Sequence, residues 1–295
     1  MAPLQLKGSE LLCWRRRLLQ AGGRAVDLDW LLDLGGGLRW KDLQRVQLDP
    51  TSVQVKLTCS LDHLEKLWRQ HRDQQIPLQH LIGRCPWRDV ELHVSSAALI
   101  PRQETELLID LAIERAGDRL GNLPGRWADL GTGSGALAVA LARQWPAWHG
   151  HAVDCSAAAL KLARRNLEDW ATHANWHLHQ GSWWAPLRPW WGSLDLVVSN
   201  PPYIPAAVVD QLDPVVRDHE PRLALDGGPD GLDCCRLLVL GSAEALAPGG
   251  WLLIEHHHDQ SQAVLDLMTT TGLKDVHAAH DLQGITRFAV GRRAG

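Results

Sequence analysis

The sequence predicts an α/β fold, a largely parallel and doubly wound sheet preceded by a smaller helical domain. Three observations predict it. From Glu104 onward, short apolar runs alternate with helical patterns, the rhythm of βαβ units. A glycine-rich turn, Gly131-Thr132-Gly133-Ser134-Gly135, joins the first of these runs to an Ala/Leu helix pattern. Residues 1–74 lack the alternation and read as helices only.

Each element has a local cause. Ser9 can cap a helix through Gln20, stopped by Gly22-Gly23. Val26–Leu34 is a shorter helix before three glycines, and Trp40–Leu48 a third, ended by Asp49-Pro50. Ser60 caps Leu61–Gln75, with Leu61, Leu64, Leu67 and Trp68 on one face. Residues 1–84 are therefore expected to form a helical domain. Residues 85–100 read as a hairpin connector, because Trp87–Val94 alternates enough for one arm. The main domain, 101–295, opens with a helix over Glu104–Arg119. Strands are expected at 126–130, 150–154, 175–180, 194–199, 249–256, 273–278 and 285–291. Such a sheet binds ligands at the carboxyl ends of its strands, where the topology switches.

Composition excludes several classes. A chain of 295 residues with 45% hydrophobic content can bury a substantial core. A formal net charge of −4 argues against nucleic-acid binding by bulk positive charge. Arg15-Arg16-Arg17 and Arg292-Arg293 read as solvated faces. The six cysteines form no C-x-x-C pair, which suits a reduced cytosol better than a disulfide framework or a zinc site. No signal-peptide core and no apolar run of membrane-spanning length is present, so a soluble cytoplasmic protein is expected. The chain holds 15 Trp against one Phe and one Tyr, Tyr203.

The motifs carry the chemistry. A strand, a glycine turn and a helix let a ligand approach the backbone closely. Asp154 ends the next strand, where an acid about 20 residues past such a turn can hold ribose hydroxyls. Gly131, Gly133 and Ala136 also fit a dinucleotide fingerprint, so the turn alone leaves a nicotinamide or flavin enzyme open beside a methyltransferase. Asn200-Pro201-Pro202-Tyr203, after the apolar run Leu194–Ser199, tips the balance. Two prolines in series stiffen the loop and leave bare carbonyls. The Asn200 side-chain oxygen and the Pro201 carbonyl can each accept one N–H of a planar –NH2 group. Tyr203 can pack on its plane. Hydride transfer has no use for such a clamp.

Asp129-Leu-Gly-Thr-Gly-Ser-Gly135, Asp154 and Asn200–Tyr203 together resemble the class I S-adenosylmethionine methyltransferases that act on planar nitrogens. Leu99-Ile-Pro-Arg-Gln-Glu-Thr-Glu106, Pro77-Leu-Gln-His-Leu-Ile-Gly83, and Glu220-Pro221 with Ala224–Gly228 narrow the resemblance to the HemK/PrmC family. That family methylates a glutamine in peptide chain release factors. The match runs from about residue 75 to the C-terminus. It departs at Gln103, His80 and Ser182, where the family often has Pro, an aromatic and an Asp.

The resemblance implies a Rossmann-like fold and S-adenosyl-L-methionine held by Gly131, Thr132, Gly133, Ser134, Gly135, Asp154, Trp183 and Asn200. It implies Asn200, Pro201 and Tyr203 as catalytic residues and Asn200, Pro201, Pro202 and Tyr203 as substrate contacts. The implied partner is a release factor, methylated in a Gly-Gly-Gln loop and docked by the helical domain. Trp183 could instead be a core aromatic, and Asp154 a helix cap. Arg102, Glu104 and Glu106 could line the entrance or merely complement a helix dipole. Glu255-His256-His257-His258 suggests a metal, but adjacent strand residues face opposite ways, so none is expected. Cys234-Cys235 reads as packing. Two alternatives remain from the residues alone: a nucleic-acid amino-methyltransferase and a non-catalytic S-adenosylmethionine-binding regulator.

Overall fold

The computed structural model describes residues 4–117 and 124–295. The chain divides into two compact units, Met1–Arg84 with Pro214–His219, and Cys85–Asp213 with Glu220–Gly295. In the first unit, helices Gly8–Gln20, Trp40–Leu48 and Leu61–Gln74 enclose a core built on Leu11, Leu28, Leu31, Leu64 and Trp68. Ser60 caps the third of these by accepting from the His63 amide at 3.2 Å. Ser9 caps nothing. The first helix begins two residues earlier, at Gly8 with Lys7 in the cap position, and the Lys7 amide is met by the Glu10 carboxylate at 2.8 Å.

The unit is also not purely helical. Leu4–Lys7 pairs antiparallel with Gln54–Leu57, and alternation puts Leu6, Val55 and Leu57 into the core. The helix expected over Val26–Leu34 is helical from Ala25 and widens to a π turn over Leu31–Gly35. Pro214–Arg217, a short helix remote in sequence, belongs to this unit, and His219 meets the Gln74 carbonyl at 2.9 Å.

A two-stranded hairpin, Arg84–Trp87 with Val90–His93, lies where the connector was expected. Trp87–Val94 is not one arm, because Arg88 adopts a left-handed φ of 51° and turns the chain. The main sheet has seven strands. In chain order they are β1 Arg126–Leu130, β2 His149–Asp154, β3 Asn175–Gln180, β4 Leu194–Ser199, β5 Leu246–Glu255, β6 Lys274–His280 and β7 Thr286–Arg292. Their spatial order is β6-β7-β5-β4-β1-β2-β3. The first five are parallel, and β7 enters antiparallel between β5 and β6. The helix expected over Glu104–Arg119 begins at Glu106 and is described through Gly117; its expected end lies outside the described residues.

Both faces of the sheet are covered. Trp127, Ala152, Leu196, Val198 and Leu253 pack under helices Glu106–Gly117 and Ala136–Gln144. The alternate residues Ala128, Leu130, Val153, Val197 and Leu252 pack under Asp233–Ala245 and Ser261–Thr270. The order reverses between β1 and β4, which places the switch point at their carboxyl ends.

Large indoles are accommodated by glycine. Trp127 pairs with Gly150 across β1 and β2, and a Cβ at Gly150 would lie 2.0 Å from the Trp127 ring. Gly23 faces Trp68, and Gly241 faces Trp184, at 2.3 and 2.2 Å by the same measure. The tryptophans thus fill core volume that paired small-and-large positions leave open.

Candidate active site

The glycine turn is built by β1 and fastened to β2. The amides of Gly131 and Thr132 both donate to the Val153 carbonyl at 2.9 Å. Gly131, Gly133 and Gly135 have φ of 77°, 55° and 85°, conformations that favour glycine. A Cβ on Gly135 would also sit 3.0 Å from the Ala163 backbone. Beneath the turn, the fully buried Asp129 accepts from Thr132 Oγ1 at 2.6 Å and from the Ala138 amide at 3.1 Å. Burial pushes its carboxyl up to about 7.

Asp154, at the end of β2, spends both oxygens on backbone. Oδ2 accepts from the Gly133 amide at 2.9 Å and Oδ1 from the Ser156 amide at 2.8 Å. Ser156, not Asp154, caps the next helix, accepting from the Ala159 amide at 3.2 Å. Carboxylate oxygens retain further acceptor positions.

Asn200-Pro-Pro-Tyr203 follows β4. The Tyr203 carbonyl accepts from Gln260 Nε2 at 2.8 Å. The Ile204 amide donates to the Leu225 carbonyl at 3.0 Å, and the Gly227 amide to the Ile204 carbonyl at 2.8 Å. The motif near residues 224–228 is therefore the clasp of the Asn-Pro-Pro-Tyr loop. A Cβ on Gly227 would lie 2.8 Å from the Pro202 carbonyl oxygen. Asn200 Nδ2 donates to Thr105 Oγ1 at 2.9 Å, Thr105 Oγ1 donates to Glu255 Oε2 at 2.6 Å, and Tyr203 Oη donates to Glu255 Oε1 at 3.3 Å. Burial pushes Glu255 up to about 7, against the pull of those two hydroxyls and Arg287. The Tyr203 hydroxyl is raised by burial and then by Glu255.

A cavity of about 320 Å³ opens over these strand ends. Gly131, Thr132, Gly133, Ser134, Asp154, Trp183, Asn200 and Pro202 share its wall. Gly135, Pro201 and Tyr203 do not: Gly135 turns into the helix packing, Pro201 is buried, and Tyr203 points its hydroxyl at Glu255. Trp183 has a φ of 46°, and its ring would lie 3.3 Å from a Cβ on Gly131. A bulky residue held left-handed at a cavity wall is a strained placement. Arg102 lines the cavity and bridges to Glu220 at 3.2 Å, while Glu104 and Glu106 are absent from the wall. Among the described residues, no group of His, Cys, Asp or Glu is placed to hold a metal ion, and no helix is long and apolar enough to cross a membrane.

Sequence reasoning passed over Thr105, and took Glu255 only as part of the His run. Thr105 stands inside the Leu99–Glu106 motif, and Glu255 is the last residue of β5, at the same sheet edge as Asn200. Those positions were the available signal.

Residues 105–218 match the family described as Methyltransferase small domain. A release factor glutamine methyltransferase of Prochlorococcus marinus is 56% identical over 284 residues, covering 96% of both chains. The chain belongs to the release factor glutamine methyltransferase family. The family's Synechocystis sp. member is 38% identical, covering 97% of each chain, and that of Geobacter sulfurreducens is 42% identical, covering 96% of this chain and 95% of the other. The fold of this family member is also that of the hMettl16 catalytic domain, solved with a MAT2A 3'UTR hairpin. The TM-score is 0.54 at 14% identity, covering 90% of this chain and 91% of that one. Within the release factor glutamine methyltransferases, the expected α/β methyltransferase fold thus holds for this chain.

Proposed function

We propose that the protein transfers the methyl group of S-adenosylmethionine to the side-chain amide nitrogen of a glutamine in a peptide chain release factor. One observation carries it: Asn200 shares one cavity wall with the glycine turn and Asp154. The donor fits that wall. The left-handed glycines let it approach the backbone, Asp154 has acceptor positions left for ribose hydroxyls, and the Trp183 face is available to the adenine. When bound, S-adenosylmethionine supplies an electrophilic methyl on a sulfonium, which departs as a neutral thioether.

The chain's own residues do the positioning. An amide nitrogen is a poor nucleophile, because its lone pair is delocalised into the carbonyl. Asn200 Oδ1 accepts one N–H, and the Pro201 carbonyl, between the wall residues Asn200 and Pro202, is the acceptor for the other, which holds the nitrogen in line with the methyl and favours its pyramidalisation. As the N–C bond forms, positive charge grows on nitrogen, and these two dipoles stabilise it. The proton becomes acidic only afterwards and leaves to solvent. Tyr203 and its link to Glu255 hold the loop rigid behind the reacting group.

The first unit docks the release factor, so remote contacts supply part of the transition-state stabilisation. The site of action is the cytosol. Incubation with labelled methyl donor and an intact release factor should place the methyl on one glutamine side chain by mass spectrometry. A free glutamine peptide should be a far poorer substrate. Label recovered mainly in RNA or DNA would refute the assignment.

A further inference from the structure

Glu255 is a carboxylate with 2% exposure, and Thr105 lies between it and Asn200. Thr105 has no task in the chemistry above, and Glu255 there only braces Tyr203. We infer that Thr105 and Glu255 are positioning residues, which hold the Asn200 amide with Oδ1 rather than Nδ2 turned toward the substrate. The inference rests on the assignment of Asn200 as the acceptor for the reacting amide.

The two ends of an Asn amide have nearly the same shape, so packing alone chooses weakly between them. Hydrogen-bond polarity chooses strongly. An ionised carboxylate can only accept. Thr105 has one hydroxyl proton, and Glu255 Oε2 at 2.6 Å takes it. Thr105 Oγ1 then has only lone pairs to offer Asn200 at 2.9 Å, which only the –NH2 end can use. The Asn200 oxygen is left for the cavity. Tyr203 donates to the other oxygen of Glu255, so neither carboxylate oxygen is idle. A substrate –NH2 is a donor, and a reversed Asn200 would set donor against donor.

The chain of donors runs one way only while Glu255 is ionised. The groups that face Glu255 are Thr105 and Glu104 ahead of helix Glu106–Gly117, Tyr203 on the loop after β4, and Arg287 on β7. Glu104 opposes ionisation and Arg287 favours it, but burial is the largest influence. A proton on Glu255 settles on Oε2, whose contact with Thr105 is shorter than the Tyr203 contact. It is then donated to Thr105 Oγ1, the Thr105 proton swings to Asn200, and Asn200 must present its oxygen to it. The amide flips and the clamp is reversed. Protonation near pH 7 therefore switches the site off, and turnover rises with pH through that region.

The test uses the full chain with an intact release factor and saturating S-adenosylmethionine, over roughly pH 5.5–8.5. Wild-type turnover should fall about tenfold per pH unit below the limb. Thr105→Val should lower turnover at high pH by roughly 10–100-fold and abolish the limb. Its donor affinity by calorimetry should stay within about twofold. Thr105→Ser should restore both turnover and limb. A wild-type profile flat across this range overturns the inference, as does Thr105→Val with wild-type turnover and an intact limb. If Thr105→Val does not fold, the wild-type profile and Thr105→Ser decide. Asn200→Ala separates the two levels. If it retains turnover, the clamp itself is wrong; if it is inactive while Thr105→Val is normal, only the relay is wrong.

Discussion

Asp154→Asn changes one atom and should cost most of the methyl donor's affinity. The native carboxylate accepts two backbone N–H bonds, one per oxygen, from Gly133 at 2.9 Å and Ser156 at 2.8 Å. Asparagine offers one oxygen. Whichever way it turns, its –NH2 meets a backbone N–H. One charge-assisted hydrogen bond is lost, worth about 1.5–3 kcal/mol. Either the glycine turn or the start of helix Ala157–Trp170 then loosens. Both border the cavity that the ribose would enter. Where the loosened turn must be re-formed around the donor, that energy sets the ceiling, roughly 10–150-fold weaker binding of S-adenosylmethionine, measured by isothermal titration. The ligand-free variant should also melt at a lower temperature, because the lost bond is internal to the protein. Binding within about twofold of wild type would show that Asp154 neither orders the turn nor meets the donor.

Asn200→Ala should lower turnover by roughly 10²–10³ while donor affinity stays near wild type, the pattern of losing one preorganised polar contact; steady-state kinetics and calorimetry separate the two. Gly131→Ala should cost about 1–2 kcal/mol of backbone strain and also press on Trp183, 3.3 Å from the new Cβ, so that donor affinity falls. Gly83→Ala, at the same φ of 77° but with nothing within 4 Å, is the control that carries strain without crowding. His151 is held neutral by burial, with His179 and Arg126 adding to the effect, and its imidazole is pushed down to about 3 from an ordinary 6.5. Below pH 6.5 the unfolded chain gains a proton that the fold refuses, so stability is complete above 6.5 and is lost as pH falls toward 3. His151→Asn should shrink the drop in melting temperature between neutral and mildly acidic buffer by a few degrees.

The sheet was legible because β4 and β5 carry short apolar runs, because helical patterns separate most of the strands, and because the glycine turn and Asn200-Pro-Pro-Tyr203 mark two strand ends directly. What escaped was long-range. Leu4–Lys7 and Gln54–Leu57 are four residues each, too short for alternation to show against the helices around them. Ser9 has the chemistry of a cap, but Glu10 reaching back to the Lys7 amide starts the helix earlier. The Thr105–Glu255 bond joins residues 150 apart, and no periodicity carries that pairing. The Trp–Gly pairs are equally hidden, since Trp68 and Gly23 or Trp184 and Gly241 meet only in the packed core.

The first unit is discontinuous, and this bears on how the chain is made. Its first 84 residues leave the ribosome well before Pro214–His219 exist. At ordinary synthesis rates the gap is on the order of ten seconds. Through that interval the leading segment waits with one piece of its surface unsupplied, and the Gln74 carbonyl lacks His219. Completion of the unit is therefore coupled to synthesis of β4 and the Asn200 loop, which precede Pro214 in the chain. The order of events during translation ties maturation of one unit to the appearance of the other's Asn200 loop.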